Sequence, residues 1–506
     1  MSTSLTTGSP WRVILLFSVP LLLGNVVQQM YQFADAVVVG RWLGVEALAA
    51  VGATGSLFFF LLGFVWGLTT GFAIPTAQAF GARDAAGVRR SVAAGTLLTA
   101  IATVLLTIAG PLLSEPMLLL LRTPAELMPQ ATVFAQVSFL GSGAMLFFNY
   151  LSAIIRAIGD SRTPLIFLTV ACVINVGLVV LMVGPLQWGI GGAALATVVA
   201  QGLSVVLCVD FVRRRVPALQ MRRSDWRVSW EDLADHLRLG LPMGFQASII
   251  AIGTLAVQVR LNELGADAVA AYTTASRVDS LAVALLQSLG LAVSMYVAQN
   301  FGARRPDRIR RGVVQSVWMA IAASVVVGAL LVLFGSGVVR LFVGEGSDAV
   351  VAMAALMLVI NGVSYSLLGV LFVVRGALQG LGHTLIPTVT GAIELVMRVV
   401  AAVVLGGLIG FAGVAWSNPL AWLGAVVLLV PAYIREHRRL ATMPALPATL
   451  TPTTPIPVIG PVDGSMAVDA VVTQPVPVVD PGGARRLRQR MQRVRGARRD
   501  RDRSGR

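Results

Sequence analysis

Twelve apolar stretches, separated by clusters of glycine, proline and arginine, dominate this chain of 506 residues. A helix rises 1.5 Å per residue, so about 20 apolar residues cover the roughly 30 Å of a bilayer's hydrocarbon. Lipid offers backbone groups no hydrogen-bond partners, which restricts such spans to helices. The stretches run over residues 13-40, 47-76, 91-113, 128-155, 164-184, 190-212, 241-262, 268-297, 312-335, 350-378, 385-407 and 410-434. Several exceed the minimum length and imply tilt or bending. With 56% hydrophobic and 12% charged residues, an ordinary soluble protein is excluded. The chain is predicted to be an all-α integral membrane protein with twelve transmembrane helices.

Orientation follows from where the positive charge collects. The net charge of +15 comes from arginine alone, because lysine is absent. The even-numbered connections contain GARDAAGVRRS, AIGDSRTP, RRRVPALQMRRSDWR and GARRPDRIRRG, whereas the odd ones hold few arginines beyond Arg41, Arg122, Arg260 and Arg340. Positive loops stay inside, so the even loops and both termini are expected in the cytoplasm of a plasma-membrane protein. Trp42 and Trp188 then fall near the outer interface, and Trp11, Trp226 and Trp230 near the inner one. The start, MSTSLTTGSPW, lacks the cationic run of a cleavable signal. Cys172 and Cys208 lie in separate apolar segments, which indicates neither a disulfide framework nor redox chemistry.

The chain also repeats itself. AQAFGAR from Ala77 returns as AQNFGAR from Ala298, an offset of 298 − 77 = 221. At the same offset Arg89 and Arg90 return as Arg310 and Arg311, and GVEALAA at Gly44 returns as GADAVAA at Gly265. RAIGDSRTP at Arg156 and GIGGAA at Gly189 have counterparts in QGLGHTLIP at Gln379 and GFAGVA at Gly410. Each copy holds about six spans, an even number, so the copies share one orientation about an axis along the membrane normal. The expected architecture is two pseudo-symmetric six-helix bundles around a central cavity. Its parts are an N-terminus of residues 1-12, an N-lobe over 13-212, a linker over 213-239, a C-lobe over 240-436 and a tail over 437-506. The linker's SWEDLADHLR reads as an amphipathic surface helix. The Pro-rich and Arg-rich tail reads as disordered and held near anionic lipid; no interleaved aromatics suggest nucleic acid.

Within the first span, Asp35 stands among valines and alanines. An acid facing lipid near the bilayer centre costs roughly 2.5 to 3.5 kcal/mol or more, so this one should face the bundle. Gln32, Gln28 and Asn25 precede it by three, seven and ten residues and share its helical face. Pro20 withdraws a backbone donor and marks a bend. Asp35 is therefore the leading candidate for proton or cation binding, with neutralisation by a structural partner as the alternative. Among the other charges in spans, Arg277 and Asp279 are two apart and point in different directions. Glu394 and Arg398 are four apart with the acid first, the spacing of an intrahelical ion pair. Glu394 is the next candidate for substrate or proton contact, and Arg375 is expected to snorkel. His236, His383 and His437 lie in segments that do not suggest a metal site.

The strings ADAVVVGRWLG, GVEALAAVG, AQAFGAR, IIRAIGDSRTP, WGIGGAALAT, AYTTASRVDS, VAQNFGAR and ALQGLGHTLIP, in this order and duplicated, resemble the multidrug and toxic compound extrusion (MATE) transporters over residues 12 to 435. The resemblance implies two six-helix lobes around a V-shaped cavity, alternating access, and export of cationic amphipathic compounds against inward H⁺ or Na⁺. Pro20 and Asp35 match the proline and acid of the family's first helix, and Asn175 and Thr197 match polar positions of the same pocket. A second acid that some members place four residues after the asparagine is Val179 here. Where the sodium-coupled branch has acids in the seventh and tenth helices, this chain has Ile250 and Leu368. Asp35 shifted by 221 or 222 lands on Ala256 or Val257. A dehydrated Na⁺ needs several oxygens, so H⁺ is the favoured coupling ion, with Na⁺ as the alternative and no cofactor.

The resulting expectation is a monomeric antiporter in contact with membrane lipid, taking small cationic or amphipathic substrates, with Asp35 as its switch. A lipid-linked saccharide flippase would need a cationic groove, which the acidic, amide-rich first span does not supply. An intramembrane enzyme would need a nucleophile and base cluster, and no such motif occurs. A receptor or scaffold leaves the first-span acid without a task.

Overall fold

The computed structural model describes residues 5–121, 123–343 and 348–444. Fourteen α-helices carry these residues, and no strand occurs among them. In the first half they are α1 (Pro10–Leu43), α2 (Val45–Gly81), α3 (Ala85–Leu120), α4 (Met128–Leu140), α5 (Ser142–Ala157), α6 (Arg162–Val183) and α7 (Gly189–Arg215). The second half holds α8 (Trp230–Leu264), α9 (Ala266–Gly302), α10 (Pro306–Val343), α11 (Asp348–Gly380), α12 (Leu385–Ile409), α13 (Phe411–Ala415) and α14 (Ser417–Thr442). The fourth span is α4 and α5 together, bent by 49° between Leu140 and Ser142. The twelfth is the short α13 followed by α14. With α2 counted, the described helices make up twelve spans, as the apolar pattern predicts, and most overrun the predicted boundaries at both ends.

Local chemistry explains where the helices break. Asp84 caps α3 by accepting from the Gly87 N–H, and Ser229 with Asp232 forms a reciprocal capping box at the start of α8. Gly44 (φ 89°) and Gly265 (φ 101°) separate α1 from α2 and α8 from α9 in backbone conformations that side chains disfavour. The repeat is thus written in the backbone as well. Arg83 and Arg304, the last residues of the duplicated motif, both turn to positive φ (58° and 51°), and Gly189 and Gly410 both have φ 61°.

The two lobes meet at the arginine-rich end. The middle and C-terminal half of α2 lies against the start of α8 so closely that a Cβ on Gly67 would strike the Met243 carbonyl. Farther along α2, the copies of the duplicated motif cross each other. A Cβ on Gly81 would run into the Gln299 carbonyl, and one on Gly302 into that of Gln78. Hydrogen bonds bridge the lobes here: Asn25 Nδ2 donates to Ser288 Oγ (3.0 Å), Gln78 Nε2 to the Gly380 carbonyl (3.0 Å) and Gln299 Nε2 to the Ala157 carbonyl (2.6 Å). At the other end of α2, Cβ atoms on Gly52 and Gly55 would meet nothing within 4 Å.

The segment before α1 seals this junction. Leu5 is fully enclosed; its N–H donates to Gln299 Oε1 (3.2 Å) and its carbonyl accepts from Asn300 Nδ2 (3.1 Å). Arg308 donates to the carbonyls of Leu5, Thr7 and Gly8. Two expectations change. SWEDLADHLR is the start of α8, continuous with the span, because its capping box and His236 tie it to the bundle. The helix of the last span runs through His437 to Thr442, so the tail region begins later than residue 437, and residues 445–506 lie outside the described ones.

Candidate functional site

Three helices of the first lobe converge on Asp35. Thr197 of α7 places its hydroxyl 3.2 Å from Asp35 Oδ2, and Asn175 of α6 donates its amide to the same hydroxyl oxygen, also at 3.2 Å. The Thr197 hydroxyl is equally 3.2 Å from the Ala193 carbonyl one turn earlier. It has a single hydrogen, so it serves Asp35 or Ala193 but not both. Asp35 Oδ1, Asn175 Oδ1 and the Tyr31 hydroxyl are enclosed and have no hydrogen-bond partner among the described residues. No ion pair joins Asp35 to an arginine among the described residues. The cluster thus offers a carboxylate and several oxygens, suited to a proton or a small cation. No group of three or more His, Cys, Asp or Glu suited to a metal occurs among the described residues.

Of the predicted stripe on α1, only Asp35 enters this cluster. Gln32 is exposed and Gln28 half-buried, and Asn25 is spent on Ser288 of the other lobe. Tyr31, 4% exposed and one turn before Asp35, belongs to the site and was not among the predicted residues. Its i−4 spacing was the available signal, but a stripe built from amides and acids passes over an aromatic ring. Val179 is fully buried in an apolar cluster, so no second acid joins the lobe's site. Pro20 is buried inside α1, where Ser18 turns its hydroxyl to the Leu15 carbonyl (2.9 Å).

The second lobe departs from expectation. Glu394 does not pair with Arg398; it contacts Arg375 of α11, and both are buried. Arg375, 6% exposed, therefore does not snorkel. The interhelical partner wins because a desolvated carboxylate gains more from a guanidinium aimed at it across the bundle than from one a turn along its own helix. Asp279 is buried, accepting from the Tyr365 hydroxyl and from Asn361 Nδ2 (3.0 Å). Arg277 is exposed and apart from it, as their spacing predicts. Val257, at the position corresponding to Asp35, is fully buried in an apolar cluster.

The MatE family model matches residues 20–181 and again 242–404. The chain belongs to the MATE family. The two matched segments of this MATE transporter start 222 residues apart (242 − 20), which restates the internal repeat. It is 32% identical over 388 residues to the probable multidrug resistance protein YoeA of Bacillus subtilis, covering 75% of this chain and 83% of YoeA. Identity to the probable multidrug resistance protein YpnP of the same organism is 30%, over 75% of this chain and 84% of YpnP. Among solved structures, the outward-facing conformation of a multidrug resistance MATE family transporter aligns with a TM-score of 0.80 at 24% identity, over 87% of this chain and 99% of that one. A MOP superfamily transporter from Pyrococcus furiosus aligns with a TM-score of 0.79 at 23% identity, over 88% of this chain and 99% of that one. These likenesses establish the two-lobed fold, and the family is one of transporters.

Proposed function

We propose that this MATE transporter is a secondary active antiporter. It exports cationic or amphipathic compounds by alternating access, driven by proton influx. Relatives named as multidrug resistance proteins support the export reading. The arginine-rich end, where the lobes meet, is read as cytoplasmic by the positive-inside rule, which makes this arrangement the outward-open member of the cycle.

The observation that carries the reading is the Asp35–Thr197–Asn175 chain, in which the carboxylate accepts from one hydroxyl, itself held by an amide, and pairs with no arginine among the described residues. While Asp35 is charged, Thr197 gives it its one proton. A proton arriving from outside makes the carboxyl a donor, which frees the Thr197 hydrogen to turn to the Ala193 carbonyl and weakens the attraction for a cationic passenger. Pro20, lacking an N–H, gives α1 the place to bend as the site rearranges. Proton and substrate then favour different states of one element, which is what coupling requires. The test is Asp35→Asn in proteoliposomes with an imposed pH gradient: dye efflux should lose its response to the gradient. Undiminished proton-driven efflux would remove Asp35 from the mechanism, and efflux that followed a Na⁺ gradient with the proton gradient collapsed would assign the site to Na⁺.

A further inference from the structure

The duplication puts a second polar cluster at the corresponding place in the second lobe, with the sign of its charge inverted. Pro164 and Pro387 are 223 apart, and the same step carries Asn175 to Arg398. The step of 221 from Gly189 to Gly410 carries Thr197 to Asn418. Pro20 and Pro242 are 222 apart, and that step carries Asp35 to the buried Val257. Where one lobe has an acid beside an amide, the other has an aliphatic residue beside a guanidinium.

The fold assembles these positions. Arg398 is 5% exposed and runs beside Gly253 of α8, where a Cβ would lie 3.0 Å from its Nη1. Tyr272 of α9 is within electrostatic reach of Arg398 and Asp279, with Ser276 and Asn418 beside its hydroxyl. Arg398 makes no hydrogen bond or ion pair among the described residues, and its Nε is enclosed without an acceptor. The nearby carboxylates are committed elsewhere, Glu394 to Arg375 and Asp279 to Tyr365 and Asn361. A buried guanidinium left unpaired is costly, and packing alone does not require one. Its planar fork of donors matches a carboxylate in a bidentate arrangement.

We propose that Arg398, with Tyr272 within reach and Asn418 beside the Tyr272 hydroxyl, is an anion subsite that takes the carboxylate of a zwitterionic substrate. This rests on the export reading and narrows its substrate class: the acid of one lobe and the guanidinium of the other together suit a compound carrying both charges. Neutralising the guanidinium with the substrate's own carboxylate removes the unpaired charge without a fixed protein counter-ion.

The test uses the full-length protein and a matched fluorescent pair, rhodamine B, which carries a carboxylate and a cationic ring system, and its ethyl ester, which keeps only the cation. The wild type should bind rhodamine B about tenfold more tightly than the ester. Arg398→Gln should erase that preference while changing ester affinity less than about twofold, and Arg398→Lys should keep part of it. Equal wild-type affinities, or parallel loss of both ligands in Arg398→Gln, would overturn the proposal, the latter showing that Arg398 only holds helices together. Displacement of rhodamine B by inorganic phosphate at equal affinity would also overturn it, in favour of a free-anion site. If Arg398→Gln cannot be purified, Asn418→Leu should weaken rhodamine B selectively, and an unchanged preference there sinks the idea. Selective binding without dye efflux in proteoliposomes would discard the export reading and leave the subsite standing.

Discussion

Thr197 holds one hydrogen between two acceptors, Asp35 and the Ala193 carbonyl, and the proposed coupling turns on which of them receives it. Thr197→Val removes the donor while keeping the shape, so proton-driven efflux should fall by about tenfold or more, whereas Thr197→Ser should retain most of it; initial efflux rates in proteoliposomes decide this. His236 makes a second residue-scale prediction. It lies in the polar first turns of α8, with Nδ1 donating to the Asp232 carbonyl (2.7 Å) and Nε2 accepting from Ser91 (3.0 Å), whose oxygen meets Thr76 (2.8 Å). Burial lowers its pKa below the ordinary value of 6.5, against smaller opposing effects from Asp232 and Asp235. The unfolded chain then takes up the proton first as pH falls. The stabilisation is present in full above about pH 6.5 and is lost as pH drops below it. Melting temperature should decline from about pH 7 to about pH 5, and His236→Gln should flatten that decline.

The duplicated motif acts as an element rather than as separate residues. AQAFGAR and AQNFGAR end α2 and α9 in the same left-handed turn, and their glycines let the two helices cross in contact. Gly81→Ala or Gly302→Ala forces the crossing apart. Each should destabilise by about 1 to 3 kcal/mol, read from thermal melts, with both together exceeding either alone. The segment over residues 5–8 is held by Gln299, Asn300 and Arg308 of the same region. Arg308→Ala removes three of its hydrogen bonds, so hydrogen exchange at residues 5–8 should rise by about tenfold or more while that of α9 stays within about twofold. The motif was legible as a repeat, but a string does not tell that its two copies touch. That is a property of two helices brought from 221 residues apart.

At the scale of the whole molecule, the lobes are joined along one end, and the proposed transport by alternating access requires that junction to open. Asn25 and Ser288 meet across it at 3.0 Å. In a background lacking Cys172 and Cys208, Asn25→Cys with Ser288→Cys should cross-link with a short cleavable thiol reagent. Dye efflux should then fall by about tenfold and return on reduction; efflux unaffected by a complete cross-link would contradict opening at this end. The sequence by itself determined the twelve spans, the duplication, the family and Asp35 as the acid to watch. Hydrophobic length and repeated strings are local properties that survive without coordinates. Only the tertiary structure decided the partners. It sent Glu394 to Arg375 instead of Arg398, drew Tyr31 into the first-lobe site, left Gln32 outside it, and bound the N-terminal segment to the junction. Pairing in a desolvated bundle depends on which helices face each other, and helical spacing along one chain carries no information about the neighbour across the gap.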